Sequence, residues 1–172
     1  MAVAVCSLTA GIAGAAERSG PEPGAAASPV AQQAGKAKHN RFIARMERGL
    51  RKCANGNRRR AGLGRLRPGA SLGRAARFHA QSMSKGGVFG HVDRRGRGPA
   101  RRVAMFGGGF GNVQEVIGAG YRGARAACRT WMRSGVHRAN ILRRGFTHLG
   151  AGYAGGGPYE RYYVVTFGRG RG

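Results

Sequence analysis

At 172 residues the chain has room for one domain and a tail, a domain of about 120 to 130 residues burying roughly two thirds of its unfolded surface. Its 41% hydrophobic content excludes a chain too polar to build a core, and it has no apolar run near the ~20 residues that cross a bilayer as a helix. With 31 Lys and Arg against 6 Asp and Glu the formal charge is +25, which speaks for anionic partners and against cationic ones.

Residues 2–16 (AVAVCSLTAGIAGAA) are uncharged, small and apolar and end in Ala-x-Ala options before Glu17 and Arg18. The segment 1–16 therefore reads as the end of a secretory signal, although the usual basic start is missing. Export to the extracellular space or the cell envelope is the expectation. Removal of such a leader would take Cys6 and leave Cys53 and Cys128. These are either one disulfide, adding on the order of 4 kcal/mol in an oxidising compartment, or two buried thiols acting as small apolar residues.

Residues 17–39 are rich in Pro, Gly, Ala, Ser and Gln without an apolar period and read as a disordered linker before a domain at 40–170. Asn40 then stands where it could cap a helix whose face carries Phe42, Ile43, Met46, Leu50 and Cys53. After a basic loop taken to include Arg58, Arg59 and Arg60, Ser71 is the expected cap of a second helix. Its stripe is Leu72, Ala75, Ala76, Ala80 and Met83, and Gly86 and Gly87 end it. A glycine- and arginine-rich stretch follows. Residues 112–117 read as a strand with Val113, Glu115 and Ile117 on one side.

Tyr121, Ala124, Ala127, Cys128 and Trp131 mark a third helix, and Ala139 to Leu142 a short helical turn. Residues 147–153 and 159–167 flank Gly155, Gly156, Gly157 and Pro158 as two antiparallel strands joined by a turn. Helices first and a hairpin last argue for an α+β fold with helices packed on an antiparallel sheet. Trp131 reads as a core anchor, His79 as a rim or core residue beside an apolar stripe, and His148 as an exposed strand residue.

Several blocks in order carry more than their separate patterns. They are Ala75-Ala76-Arg77-Phe78-His79-Ala80, Phe89-Gly90-His91, Gln114-Glu115-Val116-Ile117, Trp131-Met132-Arg133-Ser134, His137-Arg138-Ala139-Asn140-Ile141-Leu142, Phe146-Thr147-His148-Leu149-Gly150 and Tyr163-Val164-Val165-Thr166-Phe167-Gly168. Over about residues 42–168 the chain resembles the secreted bacterial branch of the CAP (SCP) superfamily, which includes cysteine-rich secretory proteins, antigen 5 and plant pathogenesis-related proteins. The resemblance implies an α-β-α sandwich, helices on both sides of a small antiparallel sheet, and a central cleft lined by two histidines and acidic residues. Matching cleft positions are His91, Glu115 in the block usually written Gly-Glu-Asn-Ile/Leu, and His137 in the block usually written Ser-Pro-Gly-His-Arg. The chain departs from these blocks at Gln114, at Val116 and at Ser134-Gly135-Val136. Val116 in place of the asparagine removes a polar partner expected near the carboxylate, and no second glutamate of the family's cleft can be placed.

His91, His137 and Glu115 could hold a divalent metal such as Zn²⁺ through two nitrogens and one oxygen with a fourth position open, although the chain requires no cofactor. The same three residues are the candidate catalytic set. A Ser134-His137-Glu115 triad is conceivable, but Ser134 at a helix end is as readily a cap, and no nucleophile elbow exists. Cys53 and Cys128, on apolar helical faces, do not read as thiolate nucleophiles.

The leading reading is a non-catalytic, monomeric extracellular module that binds a lipid, cell-wall polymer or protein partner through the cleft and its basic surface. Alternatives are a metal-dependent hydrolase or peptidase using His91, Glu115 and His137, and an arginine-rich nucleic-acid binder. Nearly all the cations are arginine in a chain dominated by Ala, Gly and Arg, as a GC-rich genome produces. With no aromatics interleaved, nucleic acid is the least favoured partner.

Overall fold

The computed structural model describes residues 28–86 and 88–170, so the signal-like segment 1–16 and the start of the expected linker lie outside the described residues. Helix α1 runs over Pro29–Arg60. The Ser28 hydroxyl accepts the Ala31 N–H at 3.3 Å, and Pro29 sits in the first turn, where its missing N–H has no helical partner to lose. Two expectations are corrected: residues 29–39 are helix rather than linker, and Asn40 lies inside α1 rather than capping it. These turns are exposed on every side, so no apolar period marks them, while Ala and Gln favour helix without one.

Further along, α1 buries Glu47, Leu50, Ala54 and Arg58. The arginine run expected in a loop is the last turn of α1. Arg58 is buried there and donates to the carbonyls of Gly64, Ile141 and Arg143 at 3.0, 3.1 and 2.8 Å.

A short strand β1 (Arg67–Pro68) leads into α2 (Ala70–Gly86). Gly69 rather than Ser71 starts α2, its carbonyl accepting the Gly73 N–H at 2.9 Å, and Ser71 is buried within the first turn. The glycine- and arginine-rich stretch contains a helix that composition did not announce, α3 (Pro99–Met105). Then follow β2 (Gly111–Ala119), α4 (Ala124–Arg133), α5 (Gly135–Ile141), β3 (His148–Gly155) and β4 (Arg161–Arg169).

The four strands form one sheet in the order β1-β3-β4-β2, antiparallel except for the two-residue parallel pairing of β1 with β3. Strand alternation sends side chains to two faces. Val116, Leu149, Ala151, Tyr153, Tyr163, Val165 and Phe167 pack with Leu50, Ala54, Ala127, Cys128, Trp131 and Ile141 of α1, α4 and α5. On the opposite face Ile117, Ala154, Tyr162 and Val164 pack with Ala76, Ala80 and Met83 of α2. The expected α-β-α sandwich is therefore present.

Cys53 of α1 and Cys128 of α4 form a disulfide across 75 residues of sequence, with Cα atoms 6.3 Å apart. Trp131 is buried, and its indole N–H donates to the Ile117 carbonyl at 2.9 Å. No helix among the described residues is long and apolar enough to cross a membrane.

The α2 layer lies unusually close to the sheet. A Cβ at Gly150 would collide with the backbone of Leu72 and Gly73, and one at Gly152 with that of Ala76 and Arg77. Gly152→Ala should therefore lower unfolding free energy by about 1–3 kcal/mol or more, because backbone cannot yield as a side-chain tip can. Gly155→Ala, which meets only ordinary contacts, should stay within about 0.5 kcal/mol of the parent. Urea unfolding checks the pair, and equal effects would contradict this seating of α2.

Candidate functional site

Glu115 sits on the α2-facing side of β2, with its side chain 2% exposed. A buried carboxylate must be met by donors. Arg102 of α3, itself 1% exposed, donates to Oε1 of Glu115 at 2.8 Å. The same guanidinium donates to the His91 carbonyl at 3.0 Å and to that of Arg97, tying the loop after α2 to the sheet.

His91 places Nδ1 3.0 Å from the same Oε1. A carboxylate oxygen only accepts, so Nδ1 carries a hydrogen, and in the neutral ring Nε2 keeps a lone pair on a side chain that is 53% exposed. His79 of α2 brings Nε2 to 3.6 Å from Oε1 and 2.8 Å from the Gly90 carbonyl, to which it donates. Its Nδ1 is buried with no hydrogen-bond partner among the described residues.

Asp93 fixes the loop beside the site. It accepts the N–H groups of Arg95 and Arg97 at 2.9 and 3.0 Å and the Arg97 side chain at 2.9 Å. Burial pushes its carboxyl up, but the Arg97 N–H and guanidinium outweigh this and hold it below the usual value.

His137 stands on α5, with Nδ1 2.8 Å from the Ser134 hydroxyl. Burial lowers its pKa, and the charge of a protonated His91 lowers it further, so the two rings share one electrostatic neighbourhood. Glu115 and His91 are thus in contact, while His137 hydrogen-bonds to neither among the described residues. No three His, Cys, Asp or Glu side chains among the described residues are grouped as a metal site requires. Oε1 of Glu115 is engaged with Nδ1 of His91 and with Arg102, so of this pair it is Nε2 of His91 that is left to meet a ligand. Ser134 and His137 do meet, but no carboxylate hydrogen-bonds His137 among the described residues, so the Ser-His-Glu sequence is not assembled.

The profile of the cysteine-rich secretory protein family, CAP, matches residues 39–167. The chain belongs to the CAP family. A Bacillus subtilis (strain 168) relative, the uncharacterized protein YkwD, is 30% identical over 115 residues, 67% of this chain and 45% of the relative. The CAP chain thus spans less than half the length of that protein. Its fold is shared by an extracellular protein containing a SCP domain from Bacillus anthracis, with a TM-score of 0.71 and 24% identity over 86% of this chain and 45% of that one. It is shared also by an outer surface protein of Borrelia burgdorferi, with a TM-score of 0.65 and 18% identity over 71% of this chain and 90% of that one.

Within this CAP domain the side chain at Val116, expected from sequence to be a polar partner lost to the carboxylate, does not stand beside it. It points to the other face of the sheet, fully buried in the α1 and α4 core, while Glu115 faces α2. Sequence reasoning missed Arg102 and set His79 aside. The signal for His79 was its place on the buried stripe of α2; Arg102 had none among so many arginines. His148 is half-buried against Phe110 rather than freely exposed.

Arg102→Met should cost about 3–5 kcal/mol, because it leaves Glu115 buried without its cation. Arg101→Met, at the exposed neighbour, should cost less than about 0.5 kcal/mol. Chemical denaturation of both variants makes the comparison.

Burial lowers the pKa of His79 most strongly, with the Arg102 charge adding to this against the opposing Glu115 carboxylate. A histidine depressed on folding contributes stability that is fully present above its ordinary value of 6.5 and is lost as pH falls below it. Stability should decline from about pH 6.5 downward, before carboxylates titrate. His79→Gln, which keeps a donor for Gly90, should flatten that decline; an unchanged slope in urea titrations at several pH values would remove His79 as its source.

Proposed function

We propose that this CAP domain is a non-catalytic extracellular module that binds an anionic component of the cell envelope, lipid or wall polymer, through its histidine-lined cleft and basic surface. The observation that carries this reading is Arg102 on Glu115 at 2.8 Å with both side chains buried. A carboxylate neutralised in this way is a poor metal ligand and a poor general base. His91 remains exposed, and the lip beside it carries half-exposed Val88, Phe89 and Val92, with Phe89 packed against Tyr159 at 5.8 Å between ring centroids. Exposed apolar groups rimming a polar cleft suit a binding surface. The Cys53–Cys128 bridge favours an oxidising compartment, and two proteins of the same fold carry the words extracellular and outer surface in their names.

The chain should bind anionic vesicles and purified wall fragments at low ionic strength and release them as salt rises. Co-sedimentation across a salt series measures this, and absence of binding to both at low salt would remove the reading. In parallel, Zn²⁺ titration should show no tight stoichiometric site. Tight binding abolished by His91→Ala and His137→Ala, with chelator-sensitive peptide or ester turnover, would favour a hydrolase instead.

A further inference from the structure

An open groove of about 1370 Å³ runs between α1, the 61–66 loop and α4, and none of the cleft residues lines it. Nine Arg and Lys residues line it and no Asp or Glu does. Arg59 and Arg60 edge one wall, while Arg125, Arg129 and Arg133 recur every four residues along α4 and are exposed. A four-residue step on a helix face advances ~6 Å, so α4 presents a ladder of guanidinium groups rather than a point site.

The walls are fixed. The Cys53–Cys128 disulfide joins α1 to α4 at the floor, and the Asn55 side chain holds Leu66 through both its N–H and its carbonyl at 2.9 and 3.1 Å. Of the four described acidic side chains, Glu47, Asp93 and Glu115 are committed elsewhere to Arg77, Arg97 and Arg102, and Glu160 lies outside the groove lining. Like charges held together in this way repel, and a bound polyanion relieves that repulsion.

The lining contains no Phe, Tyr, Trp or His on which a base could stack, and its floor is aliphatic, with Leu63, Leu66 and Met132. The size exceeds that of an ordinary small-molecule pocket of roughly 300–1,000 Å³. We infer that this groove binds a base-free phosphodiester polymer, a polyol phosphate chain whose repeated phosphates pair with the arginines of α4 and of the end of α1. The inference rests on the envelope-binding reading above and assigns its polymer-binding part to a face distinct from the cleft.

The test is titration of the full chain with poly(glycerol phosphate) over a salt series. A triple variant Arg125→Ala, Arg129→Ala, Arg133→Ala should lose roughly tenfold or more in affinity and reduce the slope of log K against log salt by about 2, near 0.7 for each phosphate left unpaired. A control triple, Arg41→Ala, Arg95→Ala, Arg101→Ala, removes equal charge from exposed positions outside the groove and should stay within about twofold on the same footing. Circular dichroism and melting confirm folding, and the single exposed change Arg129→Glu should reproduce the loss.

Equal losses in the two triples would overturn the inference, as would a single-stranded DNA oligomer of matched charge that binds through the groove as tightly as the polymer. Binding to vesicles or wall fragments without binding to poly(glycerol phosphate) would overturn the groove assignment and leave the broader reading standing. Binding to none of these would end both.

Discussion

A carboxylate placed on the inner face of a sheet stays ionised only where cations and donors are brought to it, and Glu115 organises its surroundings on those terms. Its Oε1 gathers Arg102 from α3 and His91 from the loop after α2, with His79 of α2 close behind. The segment between α2 and β2 packs through Val103, Phe106 and Phe110 against Leu72, Ala75 and Val113, and the loop before α3 is tied by polar contacts. Arg102 fixes it through charge-assisted bonds, reaching the carboxylate and two loop carbonyls at once. The oxygen that shapes the cleft is for that reason the least available for chemistry. What the cleft offers to a ligand is the free Nε2 of an oriented His91 and the neighbouring His137.

The approach of His79 to that oxygen depends on what β3 lacks. With glycine at positions 150 and 152, α2 rests its backbone against the strand; side chains there would hold the helix away and carry His79 out of reach of Glu115. Bulk is placed instead on the opposite face, where Trp131, Tyr153, Tyr163 and Phe167 fill the space under α1 and α4. Tyr163 is satisfied there by the Tyr121 carbonyl at 2.8 Å, and burial, with Tyr153 adding to it, raises its hydroxyl to about 12. One face of the sheet is thus thick and aromatic, while the other is thin, its apolar layer interrupted by Glu115 and His79, and the cleft opens on the thin side.

Much of this was legible where a repeat had to match a buried face. The stripes of α2 and α4, the hairpin and the role of Trp131 follow from spacing, and the pairing of His91 with Glu115 follows from ordered blocks that resemble the CAP family. The start of α1 was hidden because a fully exposed helix needs no apolar period, and Pro29 in its first turn looks like a breaker when read without its position. Val116 was misjudged because adjacency in sequence was taken for adjacency in space, whereas a strand sends neighbours to opposite faces. Arg102 was invisible for a different reason: its identity carries no information in a chain with 31 basic residues, and only burial sets it apart.

The same contrast governs the surface. Composition sets the number of arginines, but not which of them remain uncompensated. Glu47, Asp93 and Glu115 are each paired to a particular arginine, and three of the few negative charges in the described chain are thereby withdrawn from the outer field. Charges beyond about 8–10 Å are screened at physiological salt, so scattered cations act singly while those facing one another across a groove act together. Here α1 and α4 are drawn together by a shared core and a disulfide against the repulsion of their own arginines. The fold thus holds in place a concentration of positive charge that the arginines alone would disperse, and composition becomes a directed property of one face.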